Sequence, residues 1–128
     1  MATFLIADDS QEKILMLRHY LKVAGFSGDL RIAMTCQEAY DLIEQHTFNF
    51  AFVDYYIPSD NGPSIIRTLK TSHPQCRVAL VSSAENAENS AEARLAGAEA
   101  VLCTSHRSDE VEREILELLQ DWLHADRT

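Results

Sequence analysis

The chain has 128 residues, enough for one domain (1–128), and its 46% hydrophobic and 24% charged residues are an ordinary globular balance. A formal net charge of -9 argues against direct nucleic-acid binding, which needs a basic face to neutralise phosphates. No apolar run approaches the roughly 18 residues of a membrane span, no basic lead or long apolar segment marks a signal peptide, and Cys36, Cys76 and Cys103 are too widely spaced for a metal pair, so free buried thiols in a reducing cytoplasm are expected.

Thr3 to Ala7 reads as a short buried strand ending in Asp8-Asp9-Ser10. From Gln11 the period changes, and Ile14, Leu15, Leu17 and Leu21 predict a helix that stops at Gly25. Asp29 to Met34 alternates, which suits a second strand near an edge. Thr35 with Glu38 three residues on is a capping-box pattern, opening a helix through Ala39, Leu42 and Ile43 to about His46. Phe48 to Val53 is an apolar run that ends on Asp54, suiting a strand buried on both faces. A loop follows through Pro58 and Asn61-Gly62, and Pro63 suits the first turn of a helix carrying Ile65, Ile66 and Leu69. Pro74 lies in the break before a fourth strand, Arg77 to Val81, which ends in Ser82-Ser83. Ala84 to Ala96 is alanine-rich and acidic, predicting a weakly amphipathic helix closed by Gly97. Ala98 to Cys103 is a fifth strand. Ser108 is placed to cap a last helix with the apolar stripe Val111, Ile115, Leu118 and Trp122, and the polar tail from His124 is expected to fray.

Strands alternating with helices predict an α/β fold, a five-stranded parallel sheet with helices on both faces. Strands one, three, four and five then end at one edge, where such sheets bind ligands. Their ends are Asp8-Asp9, Asp54, Ser82-Ser83 and Cys103-Thr104. If strands one and three are neighbours, three carboxylates converge. Like charges that close call for a divalent cation, and an all-oxygen ligand set suits Mg²⁺. Mg²⁺ also binds phosphate oxygens, so the site reads as built to bring a phosphoryl group to Asp54 as nucleophile, with Ser83 in hydrogen-bond reach. Taken singly, Asp8-Asp9-Ser10 also reads as helix capping, and Asp54 as a residue that ends a strand where water begins. The five histidines show no zinc-ligand spacing, and Cys103 reads as a strand thiol.

The order and spacing of these features resemble the receiver domain of two-component response regulators, from Thr3 to about Leu123. The carrying residues are Asp8-Asp9, the loop Asp54-Tyr55-Tyr56-Ile57-Pro58-Ser59-Asp60-Asn61-Gly62, the pair Ser83-Ala84, and Gly97-Ala98-Glu99-Ala100. The resemblance implies a flavodoxin-like sheet of order 2-1-3-4-5. It implies that Asp54 accepts phosphoryl from a histidine kinase or phosphotransfer protein, with Mg²⁺ held by Asp9, Asp54 and the Tyr56 backbone carbonyl and by Asp8 through water. Ser83 would be the switch hydroxyl. Such a protein is a bacterial cytoplasmic phosphoprotein of a phosphorelay, not an enzyme. It would act on a downstream protein or on an output domain beyond Thr128, and could dimerise through helix 4, strand 5 and helix 5.

Two departures stand out. The family's lysine-proline after strand five is Thr104-Ser105, and its switch aromatic is Val101. Thr104 carries no charge to pair with a phosphoryl group, and Val101 has no ring to rotate inward; Arg107 is a candidate replacement or a solvated loop residue. The acid site is therefore intact while the readout is altered. The competing expectation is a pseudo-receiver, a phosphorylation-independent interaction module. A flavin carrier on the same fold would want a Ser/Thr/Gly-rich phosphate loop where Asp8-Asp9 stands, and a free phosphohydrolase lacks a general acid beside Asp54.

Overall fold

The strands bury side chains on both faces, and this decides the architecture. The computed structural model describes residues 2–127, with side chains through residue 125. We label the core elements β1 (Thr3–Ala7), α1 (Gln11–Val23), β2 (Asp29–Ala33), α2 (Cys36–Gln45), β3 (Phe50–Val53), α3 (Gly62–Ser72), β4 (Arg77–Ser82), α4 (Ala87–Ala96), β5 (Ala100–Cys103) and α5 (Ser108–Arg127). All pairings between these strands are parallel, and the order is β2-β1-β3-β4-β5, the doubly wound arrangement predicted.

Successive residues in a strand point to opposite faces. Phe4, Ile6, Phe50, Phe52, Ala79 and Val81 therefore meet α1 and α5, where Leu17, Leu21, Ile115 and Trp122 are buried with them. Leu5, Ala7, Ala51, Val53, Val78 and Leu80 meet the other layer, with Ala39, Ile43, Ile65, Ile66, Leu69 and Ala93. Phe4, Phe50, Phe52 and Trp122 gather on the first face, while Phe48 is buried on the second. The Trp122 ring stacks on Phe50 at 5.5 Å between centroids with 13° between planes, and Phe4 meets Phe52 edge-on at 4.9 Å.

Several boundaries differ from expectation. α4 starts at Ala87 rather than Ala84, because the Asn86 side chain accepts from the Asn89 N–H and caps the helix there. α5 already contains Ser108, since the first helical bond runs from the Val111 N–H to the Arg107 carbonyl. Leu119 is fully buried in the stripe where Leu118 was expected, and Leu118 packs only partly. The helix continues to Arg127 instead of fraying from His124, held by buried Trp122 and Leu123; Thr128 lies outside the described residues. The loop after β3 holds an unforeseen antiparallel ladder, Tyr56–Ile57 against Asp60–Asn61, turned by Ser59 at φ 89°. Among the described residues no helix is long and apolar enough to cross a membrane.

Candidate functional site

Backbone bonds at the carboxyl edge of the sheet hold each acidic residue in place. The Asp8 N–H donates to the Ala33 carbonyl and the Asp54 N–H to the Ala7 carbonyl, both at 2.9 Å, so each aspartate begins where its strand ends. Because β1 and β3 are neighbours, Asp8, Asp9 and Asp54 each bring a carboxylate oxygen within 4.8 Å of the others. Asp8 is 1% exposed and Asp54 8%, while Asp9 faces water. Asp8 Oδ1 accepts from the Ser10 N–H at 2.8 Å, and Ser10 in turn caps α1. Asp54 Oδ1 accepts from the Tyr55 N–H at 2.8 Å. Burial pushes the Asp8 carboxyl above its ordinary range, against the opposing pull of Lys13 and the Ser10 N–H.

Lys13 was not foreseen. It stands in the first turn of α1 and is 8% exposed. Its Nζ lies 2.8 Å from Asp8 Oδ2 and 3.1 Å from Asp54 Oδ1. It also donates to the Val81 carbonyl at 3.0 Å. An ammonium has three donors, and three acceptors surround it. The sequence did carry a signal: residues 13, 17 and 21 follow the buried stripe of the helix, and a charge on that stripe needs a buried partner.

The remaining predicted residues divide between neighbouring cavities and solvent. Ser83 and Thr104 line an open cavity together with Lys13, Ser10, Glu12 and Met16. The Thr104 hydroxyl lies 3.4 Å from the Ser82 carbonyl, a long bond directed along the sheet edge. Ser82 is buried, its hydroxyl accepting from the Ala84 N–H, while Ser83 is exposed. Arg107 pairs with Asp109 in solvent, its side chain 78% exposed, and does not enter the acid site. Val101 lines a separate cavity of about 200 Å³ between α4 and β5, with Leu80, Arg94, His106 and Glu114 among its walls.

The loop after Asp54 is braced from several sides. The Gly62 N–H donates to the Tyr55 carbonyl at 2.8 Å, and the Cys36 N–H to the Pro58 carbonyl at 3.1 Å. Tyr55 donates to Glu92 of α4 at 2.8 Å, and Asn89 of the same helix donates to the exposed Tyr56 hydroxyl at 3.2 Å. The Glu92 contact, first among the causes, pushes the Tyr55 phenol up.

An acidic pocket at the carboxyl edge of a doubly wound parallel sheet, with one carboxylate at the tip of its third strand, places this chain among the α/β domains that bind their ligands at that edge. Within that class, a family model described as the response regulator receiver domain matches residues 4–116, and the chain belongs to that family. The matched segment is thus a signalling module of two-component systems. The alginate biosynthesis transcriptional regulatory protein AlgB of Pseudomonas aeruginosa is 26% identical over 94 residues, covering 73% of this chain and 20% of that protein. The chain therefore spans about a fifth of that curated relative. A receiver domain protein (CheY-like) from Methanospirillum hungatei JF-1 superposes with a TM-score of 0.78 at 24% identity, over 98% of each chain. A response regulator from Burkholderia pseudomallei, solved with a phosphorylated aspartic acid, calcium ion and citrate, superposes with a TM-score of 0.75 at 23% identity, over 100% of this chain and 74% of its own. At these identities the two structures establish the fold.

Proposed function

We propose that residues 1–128 form a cytoplasmic receiver that accepts a phosphoryl group on Asp54 from the phosphohistidine of a histidine kinase or phosphotransfer protein. The observation that carries this reading is the convergence of Asp8, Asp9 and Asp54 within 4.8 Å around a carboxylate that is 8% exposed. An oxygen of Asp54 forms the new O–P bond as the donor's N–P bond breaks, and the electron pair leaves on the imidazole nitrogen, which ends protonated. Three carboxylates against the Lys13 ammonium leave two negative charges, which one divalent cation would balance. Asp8, Asp9, Asp54 and the Tyr56 carbonyl are the residues to hold Mg²⁺, which when bound neutralises charge on the transferring group. The Burkholderia structure, with its phosphorylated aspartate and calcium ion, supports both parts of this reading by likeness.

Ser83 is the hydroxyl we assign to the phosphoryl oxygens, and Thr104 the neutral residue standing where a cation is usual. With Val101 in place of a ring, the readout differs from the hydroxyl–aromatic coupling of the family. The output would pass to a downstream protein or a following domain, and the face of α4, β5 and α5, which carries the exposed Leu95, is the one we assign to a dimer or partner. The test is intact mass after incubation with phosphoramidate and Mg²⁺, with Asp54→Asn as control. Gain of one phosphoryl mass by the wild type alone is expected. No gain, together with no spectral change on adding beryllofluoride and Mg²⁺, would leave the second reading. That reading is a pseudo-receiver, favoured by the uncharged Thr104.

A further inference from the structure

Lys13 is a buried cation at the site, and in the phosphoacceptor reading above it only offsets carboxylate charge. We infer that Lys13, reaching in from helix α1, supplies the charge that pairs with the phosphoryl group on Asp54, the place left neutral by Thr104. The inference rests on the phosphoacceptor reading. Its ground is geometric. The ammonium already touches Asp54 Oδ1 at 3.1 Å, so a phosphorus esterified to that carboxyl lies within a few bond lengths of Nζ. Thr104 and Ser83 line the same open cavity as Lys13, so the lysine stands beside the residue that replaces the usual cation.

The charge balance gives the direction of change. Before transfer, the ammonium is shared between Asp8 and Asp54. Transfer converts the Asp54 carboxylate into a neutral acyl group and places the negative charge on the phosphoryl oxygens. The O–P bond forms, the donor's N–P bond breaks, and Lys13 keeps its three protons throughout. It exchanges one anionic acceptor for another nearby. A buried ammonium does not stay unpaired, because the cost of desolvating it is large.

Lys13 also competes with a divalent ion, since both are drawn to Asp8 and Asp54. Removing the lysine should therefore move two properties in opposite directions. In the full chain, Lys13→Met should slow phosphorylation by phosphoramidate at saturating Mg²⁺ by about tenfold or more, the least expected for a lost charge-assisted hydrogen bond. The same variant should bind Mg²⁺ more tightly than the wild type in calorimetry. Lys13→Arg should retain part of the rate. Lys13→Met combined with Thr104→Lys, which places the cation at the end of β5, should recover most of it.

If the wild type gains a phosphoryl group and Lys13→Met gains it as fast, the inference is overturned while the proposed function stands. If the wild type gains none, the function reading fails first and this inference falls with it. If Lys13→Met loses Mg²⁺ binding and phosphorylation together, the pocket has collapsed, and the wild type decides. In that case the Lys13 ammonium ¹⁵N resonance must shift when beryllofluoride and Mg²⁺ are added, and an unmoved resonance refutes the pairing.

Discussion

At the scale of single residues, Gly62 shows how tightly the loop is fitted to Asp54. A Cβ built on Gly62 would overlap the Asp54 carbonyl oxygen and lie 3.1 Å from the Tyr55 Cα. Both are backbone atoms, so no side chain can swing aside. Gly62→Ala should therefore cost about 2 kcal/mol or more in urea unfolding, and lower the phosphorylation rate of whatever remains folded. Unchanged stability would mean that the loop can move away from Asp54 without penalty. The acidic residues were legible in the chain because each stands at the end of an apolar run, and strand ends on one edge must converge. Lys13 was not. A lysine three residues into a predicted helix ordinarily points to water. Only the adjacency of α1 to the ends of β1, β3 and β4 turns it inward. The register of a single helix carries half of that information, and the sheet order carries the other half.

At the scale of elements, the strands were legible and the helix starts were less so. Both-face burial leaves a continuous apolar run in the sequence, which β1, β3 and β4 all display. α4 lacks such a mark. Its buried residues are Ala93 and Ala96, and its alanine-rich sequence is equally helical from Ala84 onward, so its start is set by the Asn86 cap alone. With so little buried surface, α4 depends on that cap more than its neighbours depend on theirs. Asn86→Ala should cost about 1 kcal/mol, the usual loss for such a cap. It should also raise amide exchange in the first turn of α4 before it does so in β4 or β5. Uniform acceleration across the sheet would show that α4 does not open separately. The element matters to the site because Glu92 and Asn89 of α4 hold Tyr55 and Tyr56, the two residues that follow Asp54.

At the scale of the whole molecule, His73 is a group whose contribution to stability falls as pH is lowered from neutrality. Burial holds the His73 imidazole below its ordinary value of 6.5, and its Nδ1 is buried without a hydrogen-bond partner. Below 6.5 the unfolded chain takes up a proton that the folded chain refuses. The contribution of His73 is therefore complete above 6.5, shrinks as pH falls from there to the depressed folded value, and is constant below it. Two carboxyls act in a lower window and with opposite signs. The Arg77 guanidinium holds Glu99 below its ordinary 4.5, so that contribution is complete above 4.5 and is lost as pH falls through the folded value. Burial raises Asp8 above 3.8, so protonation there relieves an unfavourable charge as pH falls. The net charge of -9 adds a general self-repulsion that also weakens on acidification. The raw pH profile mixes all of these, and the comparison must be differential. Urea unfolding of the wild type and of His73→Gln, at pH values from 7.5 to 5.5, isolates the histidine, because the other groups are common to both proteins. The stability difference should narrow or turn in favour of the variant as pH drops below 6.5. A difference that stays constant across that range would mean that His73 takes up its proton as readily in the folded protein as in the unfolded chain.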